Sequence, residues 1–267
     1  MDILNLCEQI NLQPEIKKQV EDFVKHFDFT QIDEIQKGYL VYEDMQKTLE
    51  QVQKILGYDE NGIKILACLL NASSKNYQVY QEKSISDKIY FDTMKCFTRF
   101  INEAEQITKK PCFDLYWWAT RQAGCHLFRL GELEYEAVLK KNELNVYIHI
   151  PSDARLNKEL VDASLEQAFQ FFEKQYPQFE KTEFYCHSWL LDNQLKMFLG
   201  KDSNIISFQN RFTVLEEGQA DPYLNKWLFN TDSTDCATFC ENTSLQKNVK
   251  NHLVNGGIIK SVLGRLK

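Results

Sequence analysis

Residues 183–192 read E-F-Y-C-H-S-W-L-L-D, Glu183 to Asp192. The run is apolar, aromatic and β-branch-tolerant, with no glycine or proline, and it suits a half-buried strand. Strand alternation puts Phe184, Cys186, Ser188 and Leu190 on one face, and Tyr185, His187, Trp189 and Leu191 on the other. Immediately upstream, Asn157 to Tyr176 carries Leu160, Val161, Ser164, Leu165, Ala168, Phe171 and Phe172 at helical spacing, with Asn157 placed to cap it and Pro177 to end it. Before that helix, Leu144, Val146, Ile148 and Ile150 alternate with Asn145, Tyr147 and His149, a strand of period two closed by Pro151. The unit is therefore strand, polar loop, helix, strand.

Working outward, His126–Leu130 and Leu133–Leu139 read as two strands joined at Gly131-Glu132, and Lys141-Asn142 supplies the next turn. Downstream, Asp192 caps a short helix that Gly200 closes, Ile205–Leu215 reads as a strand, Asp221-Pro222 opens a helix near Trp227, and Ser244–Asn255 forms a last helix stopped by Gly256-Gly257. The first 121 residues are helical in character. Pro14 suits a first turn, Asp44 to Leu56 repeats at helical spacing before Gly57, and Gly62–Leu70 is apolar. Ser73–Lys75 reads as a polar break, Ser84–Ile107 as a helix or helix pair capped at Ser86 or Asp87, and Asp114–Arg121 as a short helix. The fold class is α+β: a helical N-terminal domain, 1–121, and a mixed-sheet domain flanked by helices, 122–267.

The totals narrow the function classes. The 267 residues carry a net charge of -7, and no basic patch stands out, which argues against nucleic acid and an anionic membrane surface as partners. A hydrophobic content of 43% supports a buried core. The 8 cysteines are scattered, several inside apolar runs such as I-L-A-C-L-L, as free thiols behave in a reducing compartment. With no visible secretory signal and no apolar run of about 20 residues, the expected location is the cytoplasm. Cys236 and Cys240 with His252 lack the paired tight spacings of a zinc site, so no metal is expected.

Several stretches resemble a bacterial protein family with a helical N-acyltransferase N-terminal domain and a GNAT-like C-terminal domain. They are Y-F-D-T at Tyr90–Thr93, L-F-R-L-G-E-L-E-Y at Leu127–Tyr135, H-I-P-S-D-A at His149–Ala154, C-H-S-W-L-L-D at Cys186–Asp192 and S-N-I-I-S-F-Q-N-R-F at Ser203–Phe212. The resemblance implies direct acyl transfer from acetyl-CoA or another acyl-CoA to the amine of a small-molecule or peptide acceptor. It implies that two neighbouring strands, Glu143–Ile150 and Glu183–Leu191, splay around the thioester arm. The pyrophosphate would then rest at the start of the Asn157–Tyr176 helix, against Ser152, Ala154, Arg155, Asn157 and Lys158, where backbone N–H groups and the helix dipole favour an anion. The loop P-S-D-A-R-L-N departs from the family pattern in holding no glycine.

The residues themselves suggest where chemistry sits. His149 and His187 occupy matching places on the two strands and would share one groove with Tyr147, Tyr185 and Trp189. A histidine accepts a proton near neutral pH. Tyr185 or Ser188 would protonate the departing thiolate. Against this stands the plainer reading, in which each histidine bonds a backbone carbonyl at a strand end. Cys186 and His187 point to opposite faces, so a nucleophilic pair is not expected there. Arg129 and Arg211 read as strand cations needing partners, with Glu134 and Glu136 as candidates. The alternative to an enzyme is a non-catalytic GNAT-like module that binds a ligand or protein through exposed aromatic side chains.

Overall fold

The computed structural model describes residues 1–140, 143–179 and 181–267, and the turn expected at Lys141-Asn142 lies outside them. The chain divides into two compact units, Met1–Leu130 and Gly131–Lys267.

The first unit is helical: α1 (Ile3–Gln9), α2 (Pro14–His26), α3 (Thr30–Gln36), α4 (Met45–Leu56), α5 (Ile63–Glu82), α6 (Asp87–Met94), α7 (Cys96–Thr108) and α8 (Tyr116–Ala123), then the short strand β1 (Leu127–Leu130). Its local signals act as the sequence predicts. Pro14 opens α2, Gly57 ends α4 with φ +64°, and the Ser86 hydroxyl accepts from Ile89 N–H at the start of α6. The Ser84–Ile107 stretch is a helix pair. The expected break at Ser73–Lys75 does not occur, because α5 runs straight through it for 20 residues. Ser73 and Ser74 are buried with Ile65 to Ala72, and the gain from packing that turn outweighs the weak helix propensity of serine. Gly62 precedes α5 with φ +71°, and a Cβ there would stand 2.1 Å from the Phe113 carbonyl oxygen.

The second unit contains β2 (Leu133–Lys140), β3 (Glu143–His149), α9 (Lys158–Gln175), β4 (Thr182–Ser188), α10 (Asn204–Gln209), β5 (Phe212–Ala220), α11 (Leu224–Phe229), α12 (Ser244–Val254) and β6 (Lys260–Leu266). Its strands are ordered β2-β3-β4-β6-β5. The pair β3/β4 is parallel, while β2/β3, β4/β6 and β5/β6 are antiparallel. A parallel pair needs a crossover, which α9 supplies.

One face of the sheet packs on α9. Tyr135, Val146 and Phe184 point inward, and Phe172 of α9 lies 6.5 Å from the Tyr135 ring and 5.9 Å from that of Phe184. Burying each such aromatic contributes about 1.5–3 kcal/mol before entropy is counted. The Tyr135 hydroxyl is satisfied by the Ser164 hydroxyl at 2.9 Å, so its polar tip costs little inside the core. A second apolar cluster gathers Trp189, Leu195, Leu224, Phe229, Phe239, Val249 and Ile259 around α11 and α12.

Two further expectations do not hold. The Ile205–Leu215 run is not one strand. Ser203 caps α10 through Ile205 N–H, and β5 begins only at Phe212. The β-branched I-I pair suggested a strand, but the cap and the burial of Phe208 set a short helix. The central strand stops at Ser188, after which Trp189–Leu191 forms a 3-10 turn. Strand alternation therefore ends there, and both Trp189 and Leu191 are buried. Finally, β6 went unread, although it lies inside the sheet between β4 and β5.

Candidate active site at the open end of β3 and β4

The register of β3 and β4 is the central observation. Leu144 pairs with Thr182, Asn145 with Glu183, Val146 with Phe184 and Tyr147 with Tyr185, and the ladder stops there. Both strands continue, each held by its other neighbour. On β3, Ile148 and His149 pair with Tyr135 and Glu134 of β2. On β4, Cys186, His187 and Ser188 pair with Gly264, Leu263 and Val262 of β6. Two strands that are zipped at one end and claimed by different partners at the other leave unpaired backbone N–H and C=O groups facing each other. Such groups need a partner, and an extended polar ligand arm can supply one.

His149 and His187 stand two residues past the last rung, at matching positions and on the face opposite α9. His149 is half-buried, and its Nε2 lies 2.8 Å from Oε2 of Glu136. Glu136 is 5% exposed, which makes it a buried carboxylate on the same face. His187 is exposed. That face of the two strands carries both histidines together with Tyr147 and Tyr185, whose rings are 5.8 Å apart. Trp189 is not part of it, since the 3-10 turn carries it into the apolar cluster.

The other candidate side chains are placed as follows. The Tyr185 hydroxyl donates to Glu183, back along the strand toward the zipped end, and this bond with burial pushes it up to about 12. Ser188 accepts from Leu190 N–H and starts the 3-10 turn. Cys186 is fully buried on the α9 face, and burial alone drives its thiol well above the ordinary value. Asp192 accepts from Gln194 N–H and from Lys260 N–H, tying the exit of β4 to the start of β6.

At the start of α9, Asn157 occupies the N-cap position without a side-chain cap bond. Asparagine caps poorly when its side chain turns away, so the first helical N–H groups keep their donor capacity for another acceptor. In the loop before it, Ala154 N–H bonds Pro151 O, while Arg155 N–H bonds Glu132 Oε2 at 2.8 Å. The Arg155 guanidinium also approaches Glu132, at 3.6 Å, and Lys158 reaches Asp162 at 3.1 Å. Arg211 is not in a strand. It precedes β5 and pairs with Asp162 while donating to Lys158 O, rather than meeting Glu134 or Glu136. Three cations thus surround the first turn of α9, each paired with a carboxylate that an incoming phosphate would have to displace.

Sequence reasoning missed two participants. Glu136 was weighed only as an arginine partner, although its alternation with Tyr135 already put it on the His149 face. The outer rail β6 was hidden by Gly264 and by the charged residues at its ends. Among the described residues, no three His, Cys, Asp or Glu side chains are grouped as metal ligands, and no helix is long and apolar enough to cross a membrane.

A central parallel pair opened past its fourth rung, with a connecting helix that starts beside the opening, defines a GNAT-like sheet domain. The chain belongs to the family built from these two parts: residues 127–266 match the GNAT-like C-terminal domain and residues 1–125 the N-acyltransferase N-terminal domain. No curated protein matches it by sequence. Among solved structures it is similar to an acyltransferase in complex with decanoyl-CoA and teicoplanin, with TM-score 0.79 and 20% identity over 98% of this chain and 86% of the other. A mutant acyltransferase in complex with octanoyl-CoA gives TM-score 0.82 at 19% identity, with the same coverage.

Proposed function

We propose that the chain is an acyl-CoA-dependent N-acyltransferase working by direct transfer, and that the open end of β3 and β4 is its reaction centre. The observation that carries this reading is the ladder that stops at Tyr147 and Tyr185 while both strands continue. The thioester arm enters that gap and bonds the unpaired backbone groups. The pyrophosphate meets the start of α9, with Ser152, Ala154, Arg155, Asn157 and Lys158 around it. The neighbours' decanoyl and octanoyl donors support a medium acyl chain, and their glycopeptide supports an acceptor amine on a larger molecule.

A histidine of the groove, His149 or His187, takes one proton from the acceptor ammonium. The freed amine attacks the thioester carbonyl carbon, forming a C–N bond. The tetrahedral adduct collapses with cleavage of the C–S bond, and the second amine proton ends on the coenzyme A sulfur, relayed by Ser188, whose own proton is not used in its bond with Leu190 N–H, or by Tyr185 once its hydroxyl turns from Glu183. Products are an amide, free coenzyme A and one proton. Eight free cysteines and the lack of a long apolar helix among the described residues support a cytoplasmic setting.

The test is thermal unfolding with acetyl-, octanoyl- and decanoyl-CoA. Ligand at a hundredfold its dissociation constant adds about 2.7 kcal/mol to the folded state, roughly 5–10 °C for a domain of this size. A shift that grows with chain length supports the reading and names the donor. No shift with any of the three, in a cooperatively unfolding sample, favours a non-catalytic module.

A further inference from the structure

The two histidines of the groove are not equivalent, and the difference points to one atom. We infer that Glu136 is a positioning residue that fixes the tautomer of His149, so that Nδ1 of His149 is the proton acceptor of the reaction. The inference rests on the acyltransferase reading for its purpose, but its physical content does not.

The ladder register brings the two groups together. Glu136 is paired across the ladder with Tyr147, one step before His149, and its carboxylate reaches diagonally to Nε2 of His149 at 2.8 Å. An ionised carboxylate only accepts, so the nitrogen it meets must carry the hydrogen. Nδ1 then holds the lone pair. Glu136 is buried at 5% exposure, and a carboxylate is rarely placed so unless its bonds are needed there. The bond also fixes the ring plane, which a half-buried histidine at a strand end would otherwise sample freely. His187 has no such partner among the described residues and is exposed. Pairing of a proton-accepting histidine with a buried carboxylate at its second nitrogen is how one tautomer is held ready and the resulting imidazolium is stabilised. Glu134, opposite His149 in the ladder, is buried on the same face and is the control for this assignment.

The experiment uses the full chain labelled with 15N-histidine, with the His149 signals assigned by their loss in His149→Ala. In the unsubstituted protein at a pH where the ring is neutral, a single tautomer with protonated Nε2 and unprotonated Nδ1 is expected. In Glu136→Gln, whose amide satisfies either tautomer, the two forms should mix; in Glu134→Gln the single form should persist. The turnover readout is coenzyme A release from octanoyl-CoA with hydroxylamine as a small amine. Glu136→Gln should lower kcat by about tenfold to a hundredfold with KM for octanoyl-CoA within about twofold. A His149 ring protonated at Nδ1, or one whose tautomer follows Glu134 instead, overturns the inference, and the unsubstituted spectrum decides this even if a variant does not fold. A locked Nε2–H tautomer in a protein that releases no coenzyme A would uphold the Glu136 bond while defeating the acyltransferase reading, so the two failures are distinguishable.

Discussion

The two halves of the β3–β4 pair share strands but not fates. The first half, Leu144–Tyr147 against Thr182–Tyr185, is laddered and floored by α9 through Phe169 and Phe172. It is also laced on its other face, where Glu183 takes Lys181 at 2.8 Å, Arg265 at 3.5 Å and the Tyr185 hydroxyl. The second half has no rungs between its strands. Its residues spend their backbone bonds on β2 and β6, and its outward side chains are two histidines. Stability is concentrated in one half and reactive groups in the other. The lesson is that an opening of this kind is not a weak spot in the pair. It is imposed by stronger claims from outside, and the site is as firm as those outer pairings.

The sharpest way to break this contrast is to strip the open half of its side chains. The double variant His149→Ala, His187→Ala should lose about 10²- to 10⁴-fold in kcat while still unfolding cooperatively, at a temperature lowered by the loss of the His149 bond to buried Glu136. Full turnover in the folded double variant would mean that the open half is not where the proton moves. The next effect belongs to the zipped half. Phe172→Ala empties the floor under Tyr135 and Phe184 and should cost about 3–5 kcal/mol in denaturant unfolding. A loss below 1 kcal/mol would show that α9 does not anchor the pair.

A third change acts on the outside claim itself. Gly264 pairs with Cys186, and a Cβ there would meet Leu191 Cδ1 at 2.9 Å and Phe212 Cβ at 3.0 Å. Gly264→Ala should therefore cost about 1–3 kcal/mol and weaken acyl-CoA binding together with stability. Loss of stability with unchanged affinity would separate β6 from the shape of the opening. The smallest effect concerns the lacing of the zipped half. Lys181, then Tyr185, holds the Glu183 carboxyl below its ordinary value of 4.5. A carboxyl depressed on folding stabilises above its unfolded value, and that contribution is lost as the pH falls through the lower folded value. The unfolding temperatures of the unsubstituted protein and Glu183→Gln should therefore differ slightly at pH 7 and converge well below pH 4.5. A gap that persists in acid would assign the effect to packing.

The elements that make the opening were largely legible in the sequence. Alternation from Leu144 to His149 and the apolar stripe of α9 predict β3 and the crossover, and P-S-D-A-R-L-N marks the loop between them. Alternation was trusted too far beyond Ser188, where the backbone turns and Trp189 leaves the groove. That turn depends on the Ser188 hydroxyl bonding Leu190 N–H, a local side-chain bond that apolar periodicity does not register. The helix α10 was misread because Asn204–Gln209 is short and contains two isoleucines, so its period is ambiguous and only the Ser203 cap decides it. The buried serines of α5 hid a continuous helix because their burial is a tertiary fact. The Glu136–His149 bond could not be read at all, since it needs the register of β2 against β3.

The position of β6 along the chain has a consequence for how the protein is made. Cys186 waits for Gly264, about eighty residues later, before β4 gains its outer neighbour. Synthesis at roughly 5–20 residues per second leaves that edge bare for several seconds. Contacts so distant in sequence also slow folding once the chain is complete. During that interval β4 is a strand with apolar Phe184 and Cys186 on one face and an unpaired edge, a template for pairing with another nascent chain. Early α9 docking onto Phe184 covers the apolar face but not the edge. The gap that would admit an acyl arm is thus the last part of the sheet to take shape, and crowding at the ribosome is the condition under which its assembly is most exposed to error.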